Sequence, residues 1–188
     1  IELAVPQQDA DIYYTLDGTA PDRSAAPYTK PFQIGESTLL KAVSATEAGI
    51  SHVMEAKFSR IPEHRSVDIH STYSSQYTGG GDKALIDFVR GGDDFRNQLW
   101  QGYQGHDFEA VVDLGSPMSI NRVGAGFLQD IRSWIWMPRS VEFAVSGDGE
   151  TFRTVAVKEN PVPADWYGVI TRDVTAGVDG ITARYVRV

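Results

Sequence analysis

Cysteine is absent from all 188 residues. No disulfide can staple the chain and no C-x-x-C metal or redox spacing exists, although an exported protein need not carry cysteine and the compartment stays open on this point. Long apolar runs are missing as well: nothing approaches the roughly 18 consecutive apolar residues of a membrane-spanning helix. Positive charge is scarce, with 17 Lys and Arg against 25 Asp and Glu for a net charge of −8. Without a Lys/Arg run, the chain lacks the electrostatic footprint of a nucleic-acid or anionic-membrane binder, so neither nucleic acid nor membrane insertion is expected. Helical periodicity is missing from the first sixty residues, and so is tryptophan, since Trp100, Trp134, Trp136 and Trp166 all lie beyond them. A signal peptide is missing too: Ile1 opens inside a strand pattern, and ITARYVRV closes on another strand-like run. The expectation is a fragment cut at both ends of a longer chain.

What is present is β pattern. Ile1 to Val5 alternates, and Asp11 to Leu16 alternates again with Ile12, Tyr14 and Leu16 on one face. Thr38 to Ala45 and Val53 to Phe58 complete a first set of strands. Between them, Asp17-Gly18-Thr19-Ala20-Pro21-Asp22 is turn chemistry, and Pro27 and Pro31 bracket Tyr28 in a segment that cannot be a central strand. The polar, Pro-containing Ile61-Pro62-Glu63-His64-Arg65 marks a domain boundary, giving domains over 1–60 and 61–188. In the second, Ser71 to Thr78 followed by Gly79-Gly80-Gly81 reads as a flexible loop, and Ala84 to Val89 as a turn or a strand. Glu109 to Leu114 and Ile120 to Phe127 read as two strands parted by Gly115-Ser116-Pro117, and Ile170 to Val174 and Ala183 to Val188 as the last two. Length allows two domains, and short strands with Gly/Pro turns and no internal repeat point to β-sandwiches.

The most informative stretch runs from Gly126 to Phe152. Val141, Phe143 and Val145 recur at period two, Ser146-Gly147-Asp148-Gly149 supplies the left-handed backbone of a tight turn, and Thr151 to Val157 returns as a second strand. Ahead of that hairpin, Gln129 to Pro138 places Trp134, Trp136, Arg132 and Asp130 in a connection, where side chains are freest to meet a ligand. Were Trp134 and Trp136 in extended backbone they would share a face, so one of them is expected to be exposed or at an interface. Pro161 and Pro163 mark a further loop that carries Trp166 and Tyr167, either a second binding pair or a lid over the sandwich end.

Two resemblances follow from these residues. Ile12-Tyr13-Tyr14-Thr15-Leu16-Asp17-Gly18-Thr19-Ala20-Pro21, with Tyr28, Pro31 and Leu40-Lys41-Ala42, resembles the immunoglobulin-like module near the C-terminus of bacterial chitobiases and β-N-acetylhexosaminidases. Ala84-Leu85-Ile86-Asp87, Trp100, Val112-Asp113-Leu114-Gly115, Val145 to Gly149 and Arg184 to Val188 resemble the discoidin module, also called the coagulation factor 5/8 C-terminal domain and counted among family 32 carbohydrate-binding modules. Trp100 to Tyr103 and Phe127 to Asp130, with Arg132, Ser133 and Trp134, resemble the version appended to family 20 glycoside hydrolases. The fold so implied is all-β: two β-sandwich domains, an immunoglobulin-like module followed by a discoidin, or galactose-binding-like, jelly roll.

By the same resemblance the fragment is a non-catalytic accessory region of a bacterial β-N-acetylhexosaminidase, extracellular, periplasmic or on the cell surface, that holds the enzyme on glycan. Family 20 catalysis uses an adjacent Asp-Glu pair on a barrel. This chain has no Asp-Glu dipeptide, no βα alternation, no G-x-S-x-G and no metal spacing among His52, His64, His70 and His106. Tryptophan faces stack on pyranose C–H faces while polar neighbours take the hydroxyls, so Gln129, Asp130, Arg132, Trp134, Trp136, Trp166 and Tyr167 are the candidate carbohydrate-binding residues. The expected partners are terminal N-acetylhexosamine or galactose-type sugars and the catalytic domain of the same chain. Trp100 aligns with a family Trp used in packing and is expected in the core. Discoidin modules often hold a structural Ca²⁺ after the Ala-Leu-x-Asp segment, which implies Lys83, through its carbonyl, with Asp87, Asp93 and Asp94 as ligands. A loop held by hydrogen bonds alone is the alternative. The same aromatics would also serve as a docking surface for the catalytic domain, or for protein adhesion.

Overall fold

Residues 1–7 and 9–188 are described by the computed structural model, and they form two units, Ile1–Arg60 and Ile61–Val188. In the first, the alternating and β-branched segments become β1 (Asp11–Thr15), β2 (Ala26–Pro27), β3 (Thr38–Thr46), β4 (Gly49–Ile50) and β5 (Met54–Phe58). They make one antiparallel sheet in the order β2-β1-β3-β4, with β5 also on β3. Strand β3 is central and carries the buried Leu40, Ala42, Val43 and Ala45. Pro27 lies on the edge strand, where its missing N–H disturbs no ladder. Tyr14 stacks on Phe32 with ring centroids 4.8 Å apart, and Tyr28 meets both rings edge-on. The turn after β1 is tied by Asp17, whose Oδ1 accepts from the Thr19 N–H and hydroxyl at 3.0 and 2.6 Å.

The expected strand over Ile1 to Val5 does not form. Its alternation offers a face, but a strand also needs a paired edge, and among the described residues the segment's backbone bonds are the reciprocal pair between Ile1 and Phe32.

The second unit contains β6 (Ser66–Ile69), β7 (Tyr73–Thr78), β8 (Gln101–Tyr103), β9 (Ala110–Gln129), β10 (Ser140–Ser146), β11 (Arg153–Glu159) and β12 (Ile170–Arg187). A five-stranded sheet runs β11-β10-β12-β9-β6, and β7 pairs with β8. One face of the large sheet buries Val141, Phe143, Val145, Ile120, Val123, Val174 and Ala176, and Phe143 is wholly enclosed. The period-two reading of the hairpin therefore matches the buried face.

Four expectations change here. Ser71 to Thr78 is mostly a strand, β7, because Tyr73 packs edge-on against Tyr103 and supplies the partner a Ser/Thr-rich stretch does not advertise. The two strands expected around Gly115-Ser116-Pro117 are one, β9: Gly115 takes φ 86° and its N–H is held by Asp113 Oδ1 at 2.8 Å, so the strand bends without ending. The last two expected strands are likewise one, β12, whose register slips twice, with Asp179 and Gly180 at positive φ in the first slip. Trp100, expected in the core, is half-buried; its indole packs against Gly91, where a Cβ would come within 2.3 Å of the ring, and donates to the Gly92 carbonyl at 2.9 Å.

Candidate functional site

Ile170 opposes Gln129 in the β9–β12 ladder, so the loop leaving β9 and the loop entering β12 emerge at the same end of the sheet. The first loop turns at once. Asp130 and Ile135 exchange backbone bonds at 3.0 and 3.1 Å around a short 3₁₀ turn, Ile131–Ser133. Trp134 closes that turn in left-handed backbone, φ 61°. A bulky residue there is uncommon, and it throws the indole outward: Trp134 is 83% exposed. Because that backbone is not extended, the shared face that extended backbone would give Trp134 and Trp136 does not arise. Their rings are 6.0 Å apart at 82°, a corner, and both are exposed.

The second loop is fastened to the first by two long-range bonds. Gln129 Nε2 donates to the Pro163 carbonyl at 2.9 Å, and Trp136 Nε1 donates to the Ala164 carbonyl at 3.1 Å. Asn160 begins this loop by donating its N–H to the Arg139 carbonyl and capping the Val162 N–H. Trp166 and Tyr167 follow, both exposed, with the Tyr167 ring centroid 5.6 Å from the Arg132 guanidinium. All seven residues singled out for carbohydrate thus meet at one end of the sandwich, in two tiers. Trp134, Trp136, Trp166, Tyr167 and Arg132 form the surface, while Gln129 and Asp130 lie beneath it, 1% and 6% exposed. Asp130 accepts from the Ser133 hydroxyl at 2.8 Å and from Arg132 Nε at 3.4 Å, and these two donors, the hydroxyl foremost, hold its carboxyl below the usual carboxylate range. Each of its oxygens thus accepts one donor from its own loop, and the carboxylate positions Arg132 and Ser133.

The residues named for calcium are less convergent. Asp87 Oδ1 accepts the Val89 N–H at 2.7 Å, and Asp94 Oδ1 accepts the Arg96 N–H at 2.9 Å, each closing its own turn. Asp93 and Lys83 are exposed. Among the described residues no three acidic or histidine side chains gather closely enough to hold a metal. As they stand these side chains do not fit a calcium cage; an ion here would depend on main-chain oxygens.

Two features escaped the sequence reading. A 320 Å³ cavity beside the aromatic loops is lined by Arg90, Trp100, Phe127, Arg172 and Asp173, and an Arg90–Asp173 ion pair closes one wall. Towards the other end of the same sheet, a groove of 510 Å³ includes His70, Phe152, Tyr185 and Arg187. There His70 sits between Glu109 and Asp68, at 2.6 and 3.2 Å, and Glu109 foremost raises its pKa. Their sequence separations gave no local signal. No helix among the described residues is long and apolar enough to cross a membrane.

Comparison with known proteins adds the family. Residues 1–55 match the model of the chitobiase/beta-hexosaminidase C-terminal domain, and residues 70–188 match that of the F5/8 type C domain. No curated protein matches. Among solved structures, CpGH89CBM32-6 produced by Clostridium perfringens is 18% identical, with 68% of this chain and 82% of that one covered and a TM-score of 0.43. CpGH89CBM32-5 from the same organism, solved in complex with GalNAc-beta-1,3-galactose, is 15% identical over 66% and 81% with a TM-score of 0.42. The C-terminal domain of a chitobiase from Bacteroides fragilis is 19% identical over 65% and 78% with a TM-score of 0.37. A β-sandwich with this order of strands, matched by the family model over residues 70–188, makes the chain a member of the F5/8 type C domain family.

Proposed function

We propose that this chain is a non-catalytic carbohydrate-binding region, and that the paired loops after β9 and before β12 are its glycan site. The observation that carries the reading is the outward placement of Trp134, Trp136, Trp166 and Tyr167 on loops whose backbone is pinned by buried Gln129 and Asp130. Large apolar rings held in water lower no folding energy by themselves, and a rigid aromatic surface with a polar neighbour suits the C–H face and hydroxyl edge of a pyranose. The match of residues 1–55 to a chitobiase/beta-hexosaminidase C-terminal domain supports a parent β-N-acetylhexosaminidase acting outside the cytoplasm. There the region would raise the effective concentration of enzyme on terminal N-acetylhexosamine or galactose-type glycans without touching the chemistry.

The test is a screen of the 188-residue chain against immobilised glycans. Retention of a defined set, competed by the free sugar, supports the reading. A chain that retains no glycan but binds the parent catalytic domain would replace it with a docking surface.

A further inference from the structure

Arg132 is held on two sides and open on the third. Its Nε donates to Asp130 Oδ1 at 3.4 Å, and its guanidinium carbon lies 5.6 Å from the Tyr167 ring centroid, within cation–π range. Neither contact uses the two terminal nitrogens, and 52% of the side chain faces solvent. The balancing carboxylate lies inside, with one Asp130 oxygen bonded to Ser133 and the other to Arg132. A ligand arriving at the aromatic surface meets the fork of a guanidinium, with its counter-charge behind it.

Such a fork presents two parallel N–H donors whose spacing matches two oxygens of a carboxylate or sulfate, and its contacts with Asp130 and Tyr167 orient it before any ligand arrives. A neutral hydroxyl can accept one of those donors, but only an oxyanion gains charge assistance from both. We propose that the loop pair selects sugars bearing an oxyanion, a uronic-acid carboxylate or a sulfate ester, with Arg132 as the bidentate receptor and Trp134 as the platform for the ring. This rests on the reading of the same surface as a glycan site. The net charge of −8 provides no long-range pull on an anion, so the preference is a short-range one, expressed in dissociation more than in association.

The test compares matched pairs on the 188-residue chain: galactosides against galacturonides, glucosides against glucuronides, and 6-sulfated against unsulfated galactosides. The acidic member of at least one pair should bind about ten- to a hundredfold more tightly. Arg132→Gln should bring that ratio towards one, and Arg132→Lys, which keeps the charge without the fork, should restore little of it. A preference confined to uronates assigns the carboxylate and one confined to sulfated sugars assigns the sulfate; either supports the proposal. Equal binding within every pair, or an unchanged ratio in folded Arg132→Gln, overturns the oxyanion while leaving the glycan reading intact. Retention of no glycan of either kind overturns both.

Discussion

The side-chain amide of Gln129 reaches the main chain of Pro163 at 2.9 Å, across 34 residues of sequence. Gln129 ends β9, and Pro163 belongs to the loop that leads to β12, so one buried side chain sets the spacing between the two loops that display the aromatic rings. Its carbonyl oxygen also receives the Met137 N–H at 3.4 Å. A side chain only 1% exposed thus helps to set the surface, together with the Trp136–Ala164 bond.

Gln129→Leu should therefore lower stability by about 1–3 kcal/mol, since it strips buried main-chain groups of their partners. Denaturant unfolding measures the loss, and glycan retention should weaken alongside it. A variant as stable as the parent would show that the loops are held by other means.

Trp134→Ala should leave the fold in place, because an indole 83% exposed contributes little to the core. If stacking on a sugar resembles base–aromatic stacking, about 1–3 kcal/mol is lost and retention falls about ten- to a hundredfold. Undiminished retention would move the platform to Trp166 and Tyr167.

Asp148 stabilises the β10–β11 turn by accepting the Thr151 N–H, the Ser146 hydroxyl and the Glu150 N–H, and these donors, Thr151 foremost, lower its pKa to about 2. An unfolded aspartate titrates near pH 3.9. The depressed folded value means that its contribution is present above about pH 4 and is lost as pH falls through about 2. Acid titration of stability should show this limb, and Asp148→Asn should flatten it.

Asp87 closes its turn through the Val89 N–H, with Phe88 in left-handed backbone. Asp87→Ala should cost about 0.5–1.5 kcal/mol, equally with and without EDTA. A melting temperature that chelation lowers in the parent but not in the variant would establish a calcium ion held with main-chain help.

The hairpin over residues 140–159 was legible in sequence because its determinants are local: apolar residues at period two, and Ser-Gly-Asp-Gly chemistry that any short window displays. The Trp134 loop was legible as a connection for the same reason, and its outward ring follows from a backbone angle that spacing could not give. Tertiary structure decided what depends on distant partners. Strand β7 exists because β8 is there to pair with it, and β9 and β12 continue past glycines and a proline because the ladder between them resumes on either side of each register slip. The candidate site shows the same division. Composition marked its rings, but only the Gln129–Pro163 and Trp136–Ala164 bonds bring two separate loops to one surface and place Asp130 beneath Arg132. Hydrogen bonds between residues 28 and 34 positions apart are set by register between strands, a quantity that no local pattern contains.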